Sequence, residues 1–275
     1  MLKNKDNLER MIKMKKYRLL ATAIIAIGII VIGTSDPIKS IYKSTNLIST
    51  GINSENKEEV ETTEKEKKFL ICIDPGHQEK GDPNLEPVAP GSYQKKARVS
   101  SGATGVSTKK PEYILNLEAS LVLKHILEEK GYTVIMTRET HDVNISNSER
   151  AIYANEQNAD MVIRIHADSL DNSSKTGASI LVPGKKSEYT KSIYDTSNEC
   201  AKLVEQSMSN SGIKVNGIFE RNDLTGFNWS KVPVILVEMG FLSNYNEDQM
   251  MSNPEYQKKL MQSIADGLDS YFFKK

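Results

Sequence analysis

The chain has 275 residues, of which 38% are hydrophobic and 26% charged, and this excludes a disordered, collagen-like or disulfide-framework protein. The 36 basic and 36 acidic residues give a net charge of zero, so we expect no nucleic acid among its partners. The charge is unevenly distributed, because residues 1–34 carry seven basic and two acidic side chains. This basic N-terminus calls for a local explanation.

The N-terminal charge lies next to a long apolar run. Residues 1–18 are predicted to be a basic cytoplasmic segment, and residues 19–34 a transmembrane signal-anchor. The charge-dense residues 35–68 are predicted to be an exported tether. The predicted location is therefore the cell membrane, crossed once, with residues 69–275 on the extracytoplasmic side. The alternative is secretion after signal cleavage, since small residues follow the apolar run.

From residue 69 onwards, strand and helix patterns alternate. Strands are predicted at 69–74, 133–137, 161–165, 178–182 and 234–237. Helices are predicted from Pro111 (as first helical residue) to Lys130, from the capping box of Ser146 and Glu149, from 192 to 209, and after Asn253. This order predicts an α/β fold with a single twisted, mostly parallel sheet and helices on both faces. Cys72 and Cys200 are predicted to be small core residues.

Chemically active side chains follow three of the predicted strands. His77 follows the first strand, His166 ends the third, and Glu238 ends the last. Since ligands bind beyond the carboxyl ends of strands in an open α/β sheet, we expect these residues to share one rim. Two imidazoles and one carboxylate are the ligand set of a catalytic zinc. Glu238 and Glu112, at the start of the first helix, are alternative third ligands, and the residues alone leave this choice open.

Several motifs, in order along residues 69–273, resemble the zinc-dependent N-acetylmuramoyl-L-alanine amidases, which cleave peptidoglycan. The matching stretches are IDPGHQ (73–78), PEYILNLEASLVLKHILEEKGYTVIMTR (111–138), SERAIYANEQNADMVIRIHAD (148–168), GIFERNDL (217–224) and VPVILVEMGFLSN (232–244).

The resemblance implies a role for each of the four site residues. One zinc ion per chain would be held by His77, Glu112 and His166, and Glu238 would be the catalytic carboxylate. The implied reaction is hydrolysis of the amide between the lactyl group of N-acetylmuramic acid and L-alanine of the stem peptide. Glu118 is the next candidate ligand if Glu112 points away from the site.

The sequence also suggests roles for residues outside these four. Arg221 is a candidate substrate contact, with a plain surface loop as the alternative. Asp168 either orients His166 or caps a turn. A long loop is predicted at 78–110, and it should border the site because both of its ends do. Its basic residues either contact stem-peptide carboxylates or only solvate the loop; they are Lys95, Lys96, Arg98, Lys109 and Lys110. His125 and His141 are expected to be structural or solvated.

The sequence indicates the biological process less specifically than it indicates the reaction. The long loop resembles the spore-cortex branch of the family, in which amidase action precedes muramic-lactam formation. The alternatives are a cell-separation or wall-turnover autolysin, and a domain that binds peptidoglycan or a partner without cleaving it. An activator protein is a further partner that the family resemblance leaves open.

Overall fold

The computed structural model describes residues 69–273, so the predicted anchor and tether lie outside the described residues. Within residues 69–273, no helix is both long enough and apolar enough to cross a membrane.

The described residues form eight strands: β1 (Leu70–Pro75), β2 (Asp82–Pro87), β3 (Lys95–Val99), β4 (Thr133–Met136), β5 (Met161–Asp168), β6 (Ala178–Pro183), β7 (Val215–Arg221) and β8 (Val234–Phe241). Six of them form the central sheet, in the order β4-β1-β5-β8-β6-β7. Its neighbouring strands are parallel except for β6 and β8, which run antiparallel, so the predicted mostly parallel sheet is confirmed.

Helices cover both faces of this sheet, as predicted. They are α1 (Glu112–Glu129), α2 (Asn147–Glu156), α3 (Lys191–Asn210), α4 (Thr225–Asn228), α5 (Tyr245–Met251) and α6 (Pro254–Phe272). Alternate residues of β1 enter two separate cores, because successive strand side chains point to opposite faces. Ile71 and Ile73 pack with α1, α3 and α6, together with Cys200. Cys72 packs on the other face with Ala154 of α2 and Phe227 of α4.

The predictions of a single sheet and of a long loop at 78–110 are wrong in one respect. Strands β2 and β3, within the predicted loop at 78–110, pair antiparallel as a separate two-stranded sheet. This hairpin is attached to the main body by side chains: the indole Nε1–H of Trp229 donates to the Pro87 carbonyl at 2.9 Å, and Ser148 N–H donates to Glu86. Strand β7 was also not predicted. A smaller correction concerns Pro111, which is the N-cap of α1 and not its first helical residue.

A buried carboxylate ties together the ends of the strands that carry the predicted site. Asp74, at the end of β1, accepts hydrogen bonds from Arg150 of α2 at 2.8 Å and from Arg164 of β5 at 2.7 Å. All three residues are at least 95% buried. Burial alone would raise the pKa of Asp74, but the two guanidinium groups outweigh it and hold that pKa well below its usual range.

Guanidinium groups also bind the carbonyls of the turn that follows β1. Arg138 donates to the carbonyls of Pro75 and Gly76, at 3.0 and 2.9 Å. Arg150 donates to the carbonyls of Pro75 and His77, at 2.8 and 3.0 Å. Burial and the nearby charge of Arg150 lower the pKa of Arg138 to about 10, so it remains a cation at neutral pH. The backbone around His77 is therefore fixed by two buried cations.

Replacing Asp74 with Asn should destabilise the fold strongly. The amide keeps the shape of the side chain but leaves Arg150 and Arg164 buried without a counter-charge. Removing one partner of a buried ion pair costs about 3–5 kcal/mol, and urea unfolding should report a loss of free energy of unfolding in that range. Asp195→Asn, at an exposed position of α3, is the matched control and should change stability little. Equal stability of the two variants would contradict this role of Asp74.

Candidate active site

Three potential metal ligands from three different elements converge at the rim of the sheet. They are His77 in the turn after β1, Glu112 at the first position of α1, and His166 near the end of β5. One ligand atom of each lies within 4.8 Å of the others. Glu112 Oε1 is 3.1 Å from His77 Nε2 and 3.3 Å from His166 Nδ1. The two imidazole rings meet edge to face, with centroids 4.8 Å apart.

His77 is held in an unusual backbone conformation. Its φ of 60° lies in the left-handed region, which non-glycine residues seldom adopt and which marks many functional sites. On the ring, Nδ1 lies 3.0 Å from the carbonyl oxygen of Ser100 and 2.9 Å from its hydroxyl. When Nδ1 carries the proton and donates to that carbonyl, Nε2 presents its lone pair to the cluster.

Glu112 is fixed by neutral donors on several sides. Its Oε2 accepts from the N–H of Ala103 at 2.9 Å, and its Oε1 accepts from the amide of Asn116 at 3.1 Å and the N–H of Ala167 at 3.3 Å. Burial tends to raise the pKa of Glu112, but its hydrogen bonds with His166 and His77 hold that pKa well below the usual value. The carboxylate is therefore ionised and pre-oriented.

His166 is kept neutral by its surroundings. Burial, together with the positive charge of neighbouring groups, lowers the pKa of His166 to about 4, despite the opposing effect of Glu112. Its Nε2 is buried and has no hydrogen-bond partner among residues 69–273. Gly76 makes room for this ring, because a Cβ at position 76 would overlap the imidazole.

The cluster fits a zinc ion by its own chemistry. Catalytic zinc sites typically use three protein ligands drawn from neutral imidazole and carboxylate, and leave one position for water. Here two imidazoles and one ionised carboxylate converge, and His77 has the outer hydrogen bond that metal-bound histidines usually make.

Glu238 lies beside this cluster without belonging to it. In the register between β5 and β8 it stands directly opposite His166, and it lines the same cavity of about 270 Å³ as His77 and His166. Its carboxylate makes no hydrogen bond to any residue in the described part of the chain. Burial first, and then the negative charges of Glu112 and Asp168, raise the pKa of Glu238 well above its usual value.

Three cationic side chains line the rest of the cavity, those of Arg221, Lys96 and Arg164. Arg221 and Lys96 were among the predicted substrate contacts. Arg221 lies there and forms a two-point ion pair with Asp223, at 2.8 and 2.9 Å. Lys96 of the hairpin also donates to the Asp223 carbonyl, at 2.7 Å. The sequence analysis missed Arg164, although a charged residue inside the apolar run MVIRI was a signal that a buried counter-charge exists.

Other predicted residues lie elsewhere. Asp168 was proposed to orient His166, but the structure shows no hydrogen bond between these two described residues; its Oδ1 accepts from the N–H of Ser169 instead. Glu118 forms an ion pair with Lys110 away from the cluster.

The remaining histidines and basic loop residues likewise have other surroundings. His125 is exposed and pairs with Glu129, and His141 packs edge to face on Tyr113. Arg98 pairs with Asp82 and Glu149. Neither Lys95 nor Lys109 lines the cavity.

An α/β fold with two histidines and one carboxylate at the edge of its sheet is typical of metal-dependent hydrolases. Comparison with known proteins identifies the family within this class. The family model of the N-acetylmuramoyl-L-alanine amidases (Amidase_3) matches residues 71–270, so the chain belongs to this family.

Individual relatives agree with this assignment. The germination-specific N-acetylmuramoyl-L-alanine amidase of Bacillus subtilis is 27% identical over 220 residues, covering 75% of this chain and 81% of that protein. The probable cell wall amidase LytH of Staphylococcus saprophyticus is 26% identical over 202 residues, and the match spans 74% of this chain but only 58% of LytH. The solved structure of the amidase Ami1 from Mycobacterium abscessus superposes with a TM-score of 0.67 at 25% identity, covering 74% of this chain and 98% of that one.

Proposed function

We propose that this chain hydrolyses the amide between the lactyl group of N-acetylmuramic acid and the L-alanine of the peptidoglycan stem peptide. The observation that carries the proposal is the convergence of His77, Glu112 and His166 beside Glu238, in a chain of the amidase family. The products are a glycan strand and a free stem peptide.

The proposed metal is one zinc ion, held by His77, Glu112 and His166. Bound zinc would supply a water of pKa ~7 and polarise the scissile carbonyl. The protein supplies a pre-oriented ligand set: Ser100 fixes the ring of His77, Asn116 fixes Glu112, and burial keeps His166 neutral.

Glu238 is the proposed proton carrier. It accepts a proton from the attacking water and donates it to the leaving nitrogen of L-alanine. A group that performs both steps works best with a pKa near the working pH, and its burial beside two carboxylates raises the pKa of Glu238 in that direction. The positive charge of a bound metal would act on this pKa in the opposite direction.

The three proposed ligands can be tested by their effect on metal content. The wild-type chain should hold about one zinc, and His77→Ala or His166→Ala should hold none after dialysis, because two protein ligands bind zinc poorly. Glu112→Ala should weaken zinc binding strongly. Glu118→Ala is the control from the same helix and should retain the metal, since Glu118 pairs with Lys110. Loss of zinc from Glu118→Ala with retention in Glu112→Ala would overturn the assignment.

The proposed reaction can be tested by digesting purified peptidoglycan. The zinc-loaded wild-type chain should release stem peptides with a free L-alanine amine, detected by mass spectrometry. Glu238→Gln should bind zinc normally but lower the rate by about 10²–10⁴, the range lost with general acid–base assistance. Glu188→Gln, at an exposed position, is the matched control and should act like wild type. A Glu238→Gln variant as fast as wild type would contradict the mechanism, and one without zinc would make Glu238 a ligand.

We also propose that residues 19–34 anchor the chain in the cell membrane, with the catalytic domain outside. The support is the basic N-terminal flank beside an apolar run. The full-length protein should then remain in the membrane fraction after a high-salt wash, which releases proteins held by charge alone. A mature form starting near Asp36 in the medium would show cleavage instead.

For the biological process, we propose a role in the spore cortex. The name of the Bacillus subtilis relative supports this assignment, whereas the LytH relatives support the alternative of wall metabolism. Muramic-lactam content of spores from a strain lacking the protein separates the two: the lactam should be absent in the first case and unchanged in the second.

A further inference from the structure

A second cavity, of about 400 Å³, lies outside the catalytic pocket. Its walls come from the tip of the β2–β3 hairpin, from α2, from the segment before α3, and from the end of α4. The main lining residues are Pro90, Ile152, Asn155, Tyr189, Asn228 and Trp229. None of them lines the catalytic pocket, and none has a role in the proposed reaction. A cavity of this size is in the range of small-ligand sites.

The lining combines apolar rings with hydrogen-bonding groups. Trp229 and Tyr189 offer aromatic surface, and the edge of the indole is fixed by its bond to the Pro87 carbonyl. The amide of Asn228 donates to the carbonyls of Val88 and Asn222, whereas its Oδ1 is buried and accepts no hydrogen bond from residues 69–273. Lys231 and Glu156 are exposed at the rim.

This combination suits a carbohydrate. A pyranose ring presents apolar C–H faces, which pack on aromatic side chains, and a perimeter of hydroxyl and acetamido groups, which make hydrogen bonds. The rim carries one positive and one negative side chain, so the cavity has no strong preference for an anion or a cation.

The two cavities share their dividing walls. In α4, Thr225 and Gly226 face the catalytic pocket, whereas Asn228 and Trp229, within the next few residues, face the second cavity. In the hairpin, Lys96 lines the first and Pro90 the second. Only one turn of helix, which is about 10 Å across with its side chains, separates them. A glycan strand of a few sugars can bridge that separation.

We infer that the second cavity is a glycan subsite, which binds the sugar chain beside the muramic acid whose stem peptide is cleaved. This inference rests on the proposed function for the identity of the polymer, but the binding itself needs no catalysis. The ligand class is a β-1,4-linked N-acetylhexosamine chain. It assigns a role in substrate binding to Tyr189 and Trp229.

Trp229 is the single tryptophan of the chain, so its fluorescence reports directly on this cavity. We would titrate the full-length protein with chitotetraose, a β-1,4-linked tetramer of N-acetylglucosamine that has no lactyl amide to hydrolyse. A saturable change in emission is expected. Tyr189→Ala should weaken the apparent Kd about 3–10-fold, the loss expected for one stacked aromatic side chain. Tyr245→Ala removes a tyrosine that is 60% exposed on α5 and should leave the titration unchanged.

The inference is overturned if emission does not saturate up to about 10 mM chitotetraose, well above the Kd of ~1 mM of a weak site. It is also overturned if the two tyrosine variants titrate like wild type or weaken equally.

A kinetic measurement distinguishes failure of this inference from failure of the proposed function. Tyr189→Ala should raise KM for glycan strands while leaving kcat/KM for a muramoyl dipeptide with one sugar unchanged. Failure of the wild-type chain to cleave either substrate, with a normal chitotetraose titration, refutes the amidase activity and retains the glycan site. Cleavage of both substrates without any effect of Tyr189→Ala on either assay retains the amidase and refutes the glycan site.

Discussion

The buried ion pairs of Asp74 are the constraint on which the rest of the active site depends. One carboxylate joins the end of β1 to Arg164 in β5 and to Arg150 in α2, so two neighbouring strands and a helix cannot shift independently. The same Arg150, with Arg138, binds the carbonyls on either side of Gly76 and holds the left-handed backbone at His77. The cost of burying these charges is offset only while every partner is present. The backbone at His77 is thus positioned by charge and its ring by Ser100, whereas Glu112 and His166 are positioned by secondary structure.

The elements that were predicted correctly are those specified by residues close together in the sequence. The capping box of Ser146 and Glu149 begins α2 as its spacing indicated, and Asn253 caps α6. The apolar runs of β1, β5 and β8 end at one rim, which is why the sequence alone groups His77, His166 and Glu238. The strands extend beyond their apolar runs because the ladder continues through polar residues, as the pairing of His166 with Glu238 shows.

Physical reasons explain why the hairpin and β7 were not predicted from the sequence. The β2 segment contains Pro83 and Pro87, which disfavour a strand, and its stabilising contacts come from residues far along the chain such as Ser148 and Trp229. Strand β7 is an exposed edge strand, so its side chains show no apolar alternation. Asp168 and His166 make no hydrogen bond, and the ladder between β5 and β8 shifts its register between these two residues. Asp168 instead affects the site through its charge on Glu238.

The hairpin has a consequence for how a polymer would be held. It closes one side of the catalytic pocket with Lys96, next to the Arg221–Asp223 pair, and one side of the second cavity with Pro90. Its hydrogen bond with Trp229, the residue after α4, makes the two cavities parts of one surface. Peptide chemistry and glycan binding would then be arranged on opposite sides of a single helical turn.

The most direct test of the account is a crystal structure of the zinc-loaded protein with anomalous diffraction recorded at the zinc edge. The account predicts one anomalous peak, bonded to His77, Glu112 and His166, with the carboxylate of Glu238 nearby but not bonded to it. A peak bonded to Glu238 or Glu118, or no peak at this cluster, would contradict it.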